Sequence, residues 1–219
     1  MATIEYYLDG ISLKSYGVYV SEAQGLFDRP KNKPLTKTDW AEYHGEVVDL
    51  DNIRLSSREI VLICFIKAVS ILDFAIKVNT FLQIYSAPGT KRLLVQIDVN
   101  NPLVYEVYCE DGITIRKKWS DGTMVGTFQI KLTEPDPVKK VLKYTRLGVG
   151  AKTVTITLTS EKLLGIFWGD GTKTLDVSGT GVVITHDYAA DGSYFIIIAG
   201  NIDEITNLTH NATVVWNKL

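Results

Sequence analysis

Only one stretch of the chain, SILDFAIKVNTFLQIYSAPG at residues 70–89, carries the spacing of an amphipathic helix. Its apolar residues Ile71, Phe74, Ala75, Val78, Phe81 and Leu82 recur at intervals of three and four, which puts them on one face. Ser70 is placed to cap the first turn with Asp73 three positions on, and Pro88-Gly89 stops the run, so a helix is predicted over 70–86. The remainder alternates with a period of two or runs apolar in short bursts, and is punctuated by Asp-Gly pairs at 9–10, 111–112 and 121–122. In KTVTITLTS, Val154, Ile156 and Leu158 fall on one face and threonines on the other, a strand with one dry and one wet side. REIVLICFIK is almost continuously apolar, as in a strand covered on both faces. The chain is therefore predicted to be mainly β.

The pattern divides the chain. Residues 1–135 read as a β sandwich or barrel with the single helix laid across it. The stretch EPDPVKKVLKYTRLGVGAK breaks the rhythm with two prolines, a basic run and glycines at 148 and 150, and residues 136–150 are expected to be a linker. From 151 to 219 short apolar runs separated by Gly- and Asp-bearing turns restart, the signature of a second, all-β sandwich. Few contacts are expected to cross the linker. Each half is expected to fold alone, the second around Val154, Ile156, Trp168, Tyr188, Tyr194 and Ile196.

Charge narrows the partners. A formal net charge of −2 gives no long-range field toward nucleic acid or anionic lipid. No window approaches a membrane-spanning apolar length, and MATIEYYLDG lacks a basic start with an apolar run behind it; a soluble chain made in the cytoplasm, without a membrane span, is expected. Cys64 and Cys109 lie in strand-like runs and are expected to be unpaired, small apolar residues. The GxSxG, GxxxxGK[ST] and GxGxxG patterns do not occur. His44, His186 and His210 have no i,i+4 partner or cysteine pair that would give zinc spacing. No catalytic residue, metal site or cofactor is predicted.

The densest candidate is GIFWGDGTKTLDVSGTGVVITHDYAADGSYFIIIAG, residues 165–200. Gly169 and Gly171 permit backbone angles closed to other residues, and Asp170 between them can bind the amides of its own turn. Trp168 then becomes a core plug at the end of a strand, with His186 and Tyr188 on the same side of a later one. A calcium loop would need more oxygen ligands at staggered spacing than are present. Trp168, Gly169, Asp170, Gly171, His186 and Tyr188 are accordingly predicted to be turn and core residues of the second domain.

Those same residues carry a resemblance. FWGDGT at 167–172, HDY at 186–188 and GSYFI at 192–196 resemble the polycystic-kidney-disease (PKD) type of Ig-like domain, which implies an Ig-like β sandwich for the second half. The first half resembles the first domain of phage distal tail proteins, the hub rings beneath the tail tube. The resemblance rests on the order YYLDGISLKSYGVYVSEA, a proline-bearing stretch, EYHGEVVDL, SREIVLICFIKA, the helix, NPLVYEVYCEDGI and GTFQIKLTEPDP. It implies a structural component of a phage or prophage tail, not an enzyme. It further implies a ring of identical copies, a hexamer in that family, with other tail proteins as partners and a virion tail as location. The appended sandwich would serve interaction or adhesion, with a host-surface glycan among its possible ligands. The alternative is a carbohydrate- or cell-surface-binding module of a bacterial protein, since PKD-type domains often accompany such proteins.

Overall fold

The computed structural model describes residues 4–51, 53–98, 100–120 and 123–219. The chain opens with β1 (Glu5–Leu8), β2 (Ile11–Ser12), β3 (Val18–Gln24), β4 (Lys37–Asp39), β5 (Glu46–Val48) and β6 (Arg58–Ala68). Helix α1 (Ile71–Gln83) follows, then β7 (Lys91–Gln96), β8 (Leu103–Val107), β9 (Arg116–Ser120) and β10 (Thr123–Glu134). The second half contains β11 (Lys139–Arg146), β12 (Thr153–Phe167), β13 (Lys173–Asp187), β14 (Gly192–Gly200), β15 (Ile205–His210) and β16 (Thr213–Trp216). The fold is mainly β, in antiparallel sheets, with one α-helix among the described residues.

Two four-stranded sheets, β2-β1-β7-β8 and β3-β6-β10-β9, build the first half around a single core. Asp9 and Gly10 join β1 to β2 with positive φ angles of 48° and 81°, the geometry that an Asp-Gly pair supplies in a tight hairpin. β6 buries every second residue from Arg58 to Ala68, including Ile60, Leu62, Cys64 and Ile66. Burial pushes the Cys64 thiol up to about 12, so it behaves as an apolar residue. At the start of α1 the Ser70 hydroxyl accepts from the Asp73 amide at 3.1 Å, and the Asp73 carboxylate accepts from the Val69 amide at 3.0 Å. Phe74 and Phe81 turn the buried face of α1 into the core.

One expectation changes here. The Asp111-Gly112 pair does not close a hairpin, because β8 pairs with β7 while β9 pairs with β10, in the other sheet. Asp121-Gly122 lies outside the described residues.

The second half is a six-stranded sheet in the order β13-β12-β14-β11-β16, with β15 attached to β12. β12 changes partner along its length: Ile156–Ser160 lie against β15, whereas Leu164–Phe167 lie against β14, with register breaks between. Such irregularities bend a strand, and here they wrap it around the core of Val154, Ile156, Leu158, Leu164, Ile166 and Ile196.

The stretch expected to be a linker, 136–150, is not one throughout. Lys139–Arg146 is β11, which lies between β14 and β16. Its lysines disguised it: Lys139 is buried and Lys140 and Lys143 are half-buried, while Leu142 and Tyr144 enter the core of the second half and Val141 faces the first. Pro135 and Pro137 mark the approach to the strand. Nor is the boundary sparse. Val104 of β8 packs with Val141, Ile197 and Ala199, and Leu94, Phe167 and Trp216 extend this cluster across the joint. The Trp216 indole donates to the Pro102 carbonyl at 2.8 Å, and Arg92, paired with Glu106, donates to the carbonyls of Phe195 and Phe167.

Candidate assembly surfaces

The residues singled out in the second half converge where the bent β12–β13 ribbon brings its ends together: Trp168 follows the last residue of β12, and His186 lies across from Val154 near its start. Trp168 is buried, its amide donating to the Thr172 carbonyl at 3.0 Å and its indole to the Thr174 hydroxyl at 3.0 Å. Gly169 has φ +92°, and a Cβ there would stand 2.7 Å from the Phe195 carbonyl oxygen, so only glycine fits. Asp170 closes the turn by accepting from the Thr172 amide at 3.0 Å, and its other oxygen meets His186 Nε2 at 2.7 Å. The His186 ring stacks on Trp168 with centroids 4.7 Å apart, and Tyr188 meets His186 edge-on at 4.8 Å. The Tyr188 hydroxyl donates to the Trp168 carbonyl at 2.8 Å, which ties the two strands together. The sequence reading missed Tyr144, stacked on the far side of the cluster against Tyr188, because it sits in β11.

Partial burial works against the Asp170 carboxylate, but the bonds from Thr172 and His186 outweigh it and hold the group below its ordinary range. Its contribution to stability is present above the unfolded carboxylate value and is lost as pH falls through the lower folded one. Asp170→Ala is expected to cost about 1–2 kcal/mol in thermal or urea unfolding, less at acid pH, with calcium and EDTA leaving the melting temperature where it is. Among the described residues no group of three or more His, Cys, Asp or Glu is placed to hold a metal. His44 lies in the exposed turn before β5, and His210 at the end of β15 bonds the Ala212 carbonyl through Nδ1.

The first half also carries open surfaces. Sheet β3-β6-β10-β9 ends in β3 on one side and β9 on the other. All its pairings are antiparallel, so β3 and β9 themselves run in opposite directions. β9 covers β10 only from Thr123 to Thr127, and contact resumes at the Tyr108–Thr133 bridge. Residues 128–132 of β10 are therefore without a partner on that side among the described residues. An open cleft of about 700 Å³ lies there, lined by Ile63, Asp111, Ile113, Arg116, Phe128 and Lys131. A second, more apolar groove of about 660 Å³ follows β3, lined by Ile4, Tyr6, Val20, Ala23, Leu26 and Phe27.

Between β3 and β6 the chain leaves the body as an arm, its two strands β4 and β5 paired with each other. No residue from Lys31 to Asp51 is buried among those described, and Trp40, Tyr43, Val47 and Leu50 are 56–75% exposed. The arm thus carries exposed aromatic and aliphatic side chains on one projection.

No family model and no curated protein matches the sequence. Among solved structures the fold is similar to that of the SPP1 Dit (gp 19.1) protein, described as a paradigm of the hub adsorption apparatus in phages infecting Gram-positive bacteria. The likeness has a TM-score of 0.50 at 14% identity and covers 100% of this chain and 90% of that one. A chain of the phage p2 baseplate in its activated conformation is also similar, with a TM-score of 0.42, 9% identity and coverage of 96% and 98%. The likeness to the SPP1 protein is one of fold, and it spans both halves of the chain.

Proposed function

We propose that this chain is a structural subunit of a phage or prophage tail, a hub protein that closes into a ring of identical copies, six by the resemblance of its first half. The observation that carries the reading is the sheet with two open edges of opposite polarity. The β3 of one copy can continue the ladder at the β9 of the next with the same antiparallel sense, a heterologous contact that closes when its rotation divides a circle. Arg116, Lys117 and Lys118 make the β9 edge basic, which discourages indiscriminate pairing and favours an edge bearing acidic groups such as Glu22. The fold shared with the SPP1 hub protein supports the same reading. The second half, an Ig-like sandwich framed by the Trp168, Asp170, His186 and Tyr188 cluster, is carried by the ring and meets other tail proteins or a host-surface glycan. The subunit performs no chemistry.

Sedimentation velocity and negative-stain microscopy of the full chain are expected to show a closed cyclic oligomer that dissociates on dilution. A monomer at every concentration, even beside the tail-tube protein encoded with it, would sink the proposal.

A further inference from the structure

We infer that Phe27 and Asp28 form the knob by which one copy seats in the next, and that the socket is the cleft beside the uncovered part of β10. This rests on the ring reading and names the contact within it. Phe27 is 73% exposed, yet it stands on a fixed base. The residue before it, Leu26, is buried, and its carbonyl accepts both from Arg58 Nη1 at 3.1 Å and from the Tyr105 hydroxyl at 2.7 Å. Gly25 has φ +84°, with the Glu59 carbonyl so close that a Cβ would stand 2.1 Å from it. The chain thus leaves β3 in one direction, and little freedom remains to be lost when Phe27 is covered.

Register puts the last residues of β3, just before the knob, level with the socket on the opposite edge. Val20 lies across from Cys64, which lies across from Phe128; Gln24 lies across from Val61, which lies across from Lys131. A neighbour's β3 laid antiparallel on β9 would run on past Arg116, the first residue of β9, toward residues 128–132, and Phe27 comes just beyond its end. The cleft offers apolar walls from Ile63, Ile113 and Phe128. At its rim stands Arg116, which has no ion-pair partner in its own chain among the described residues, and the same is true of Asp28. Lys131 is held near Asp111 at 3.5 Å in the same cleft, so the pocket mouth carries an excess of positive charge for an incoming carboxylate.

The test uses the full chain. Phe27→Ala is expected to leave the melting temperature of the dilute subunit unchanged and to raise the dissociation constant of the ring at least tenfold in sedimentation velocity, as loss of a central aromatic anchor does. Asp28→Arg and Arg116→Asp should each weaken assembly, and an equimolar mixture of the two proteins, in which alternating copies meet with opposite charges at every contact, should restore it. The double variant Asp28→Arg/Arg116→Asp should recover it. A photo-crosslinking residue at position 27 should label peptides containing 111–116 or 127–131 of another copy. Rings that form unchanged in Phe27→Ala, or crosslinks that map elsewhere, overturn the knob and leave the ring standing; a wild-type chain that never associates overturns both.

Discussion

A fragment beginning at residue 151 is expected not to fold, whereas one beginning at residue 136 is. The missing piece is β11, an interior strand rather than a tether, since it pairs with β14 along its whole length and β16 pairs with nothing else among the described strands. Without it Leu142 and Tyr144 leave the core, Tyr188 loses one of its stacking partners, and β16 has no sheet to join. Each large side chain removed from a core costs about 2–5 kcal/mol, and a domain of this size has only about 5–15 kcal/mol to lose. The longer fragment keeps the sheet but bares Val141, Ile197 and Ala199, which face Val104 in the intact chain, so it should be folded and prone to associate. Circular dichroism and amide dispersion in NMR distinguish the two fragments. A folded 151–219 would mean that β11 is dispensable.

Breaking the buried ion pair at the joint is expected to be the most damaging single substitution. Glu134 and Lys139 have side chains that are 1% exposed, and Lys139 also sits over the Tyr105 ring at 4.2 Å. Arg58 Nε lies 3.4 Å from the other Glu134 oxygen, while its remaining nitrogens donate to Leu26 and Pro137. Glu134→Gln would leave two buried cations facing a neutral group, and Lys139→Met would remove one arm of the cluster. A loss of about 3–5 kcal/mol is expected for the first, because an uncompensated charge stays out of water. The double variant Glu134→Gln/Lys139→Met should recover part of it, since only one buried cation, Arg58, then faces the neutral group instead of two. Burial, only partly offset by Glu134 and reinforced by Arg58, brings the Lys139 ammonium down to about 8 from an ordinary 10.5. Between those values the unfolded chain holds a proton that the folded one has released, so stability rises with pH through that window. Wild type is therefore expected to gain on Lys139→Met from about pH 8 toward 10.5, as read from urea midpoints. Equal midpoints for wild type and Glu134→Gln at neutral pH would show that the cluster contributes little.

What was legible in the sequence was local. The helix announced itself by spacing, cap and stop, the Asp9-Gly10 hairpin by its dipeptide, and β12 by its alternation of threonine with Val154, Ile156 and Leu158. Pairings between distant segments were not legible. Asp111-Gly112 has the chemistry of a hairpin turn, but β8 and β9 find their partners in different sheets, and no local signal encodes that choice. β11 was obscured by Lys139, a charged residue at a buried position whose neutralising partner lies in the preceding strand. Trp168, Asp170, His186 and Tyr188 stand beside turns of recognisable chemistry, but their contacts with one another and with Tyr144 depend on pairings between distant strands. The open edges and the arm were invisible for a different reason: an edge is defined by what fails to pair with it.

The Arg58 guanidinium holds the Leu26 and Pro137 carbonyls on one planar group, one at the root of the arm and the other at the crossing between halves. A rigid fork of that kind behaves as a short strut. Tension applied to the arm is not absorbed in the loop that bears it but is delivered to the start of β11, and through that strand to the sheet of the second half. The halves are thus joined at the root of the arm by a polar fork, beside the apolar contact of Val104 with Val141 and the bonds of Trp216 and Arg92.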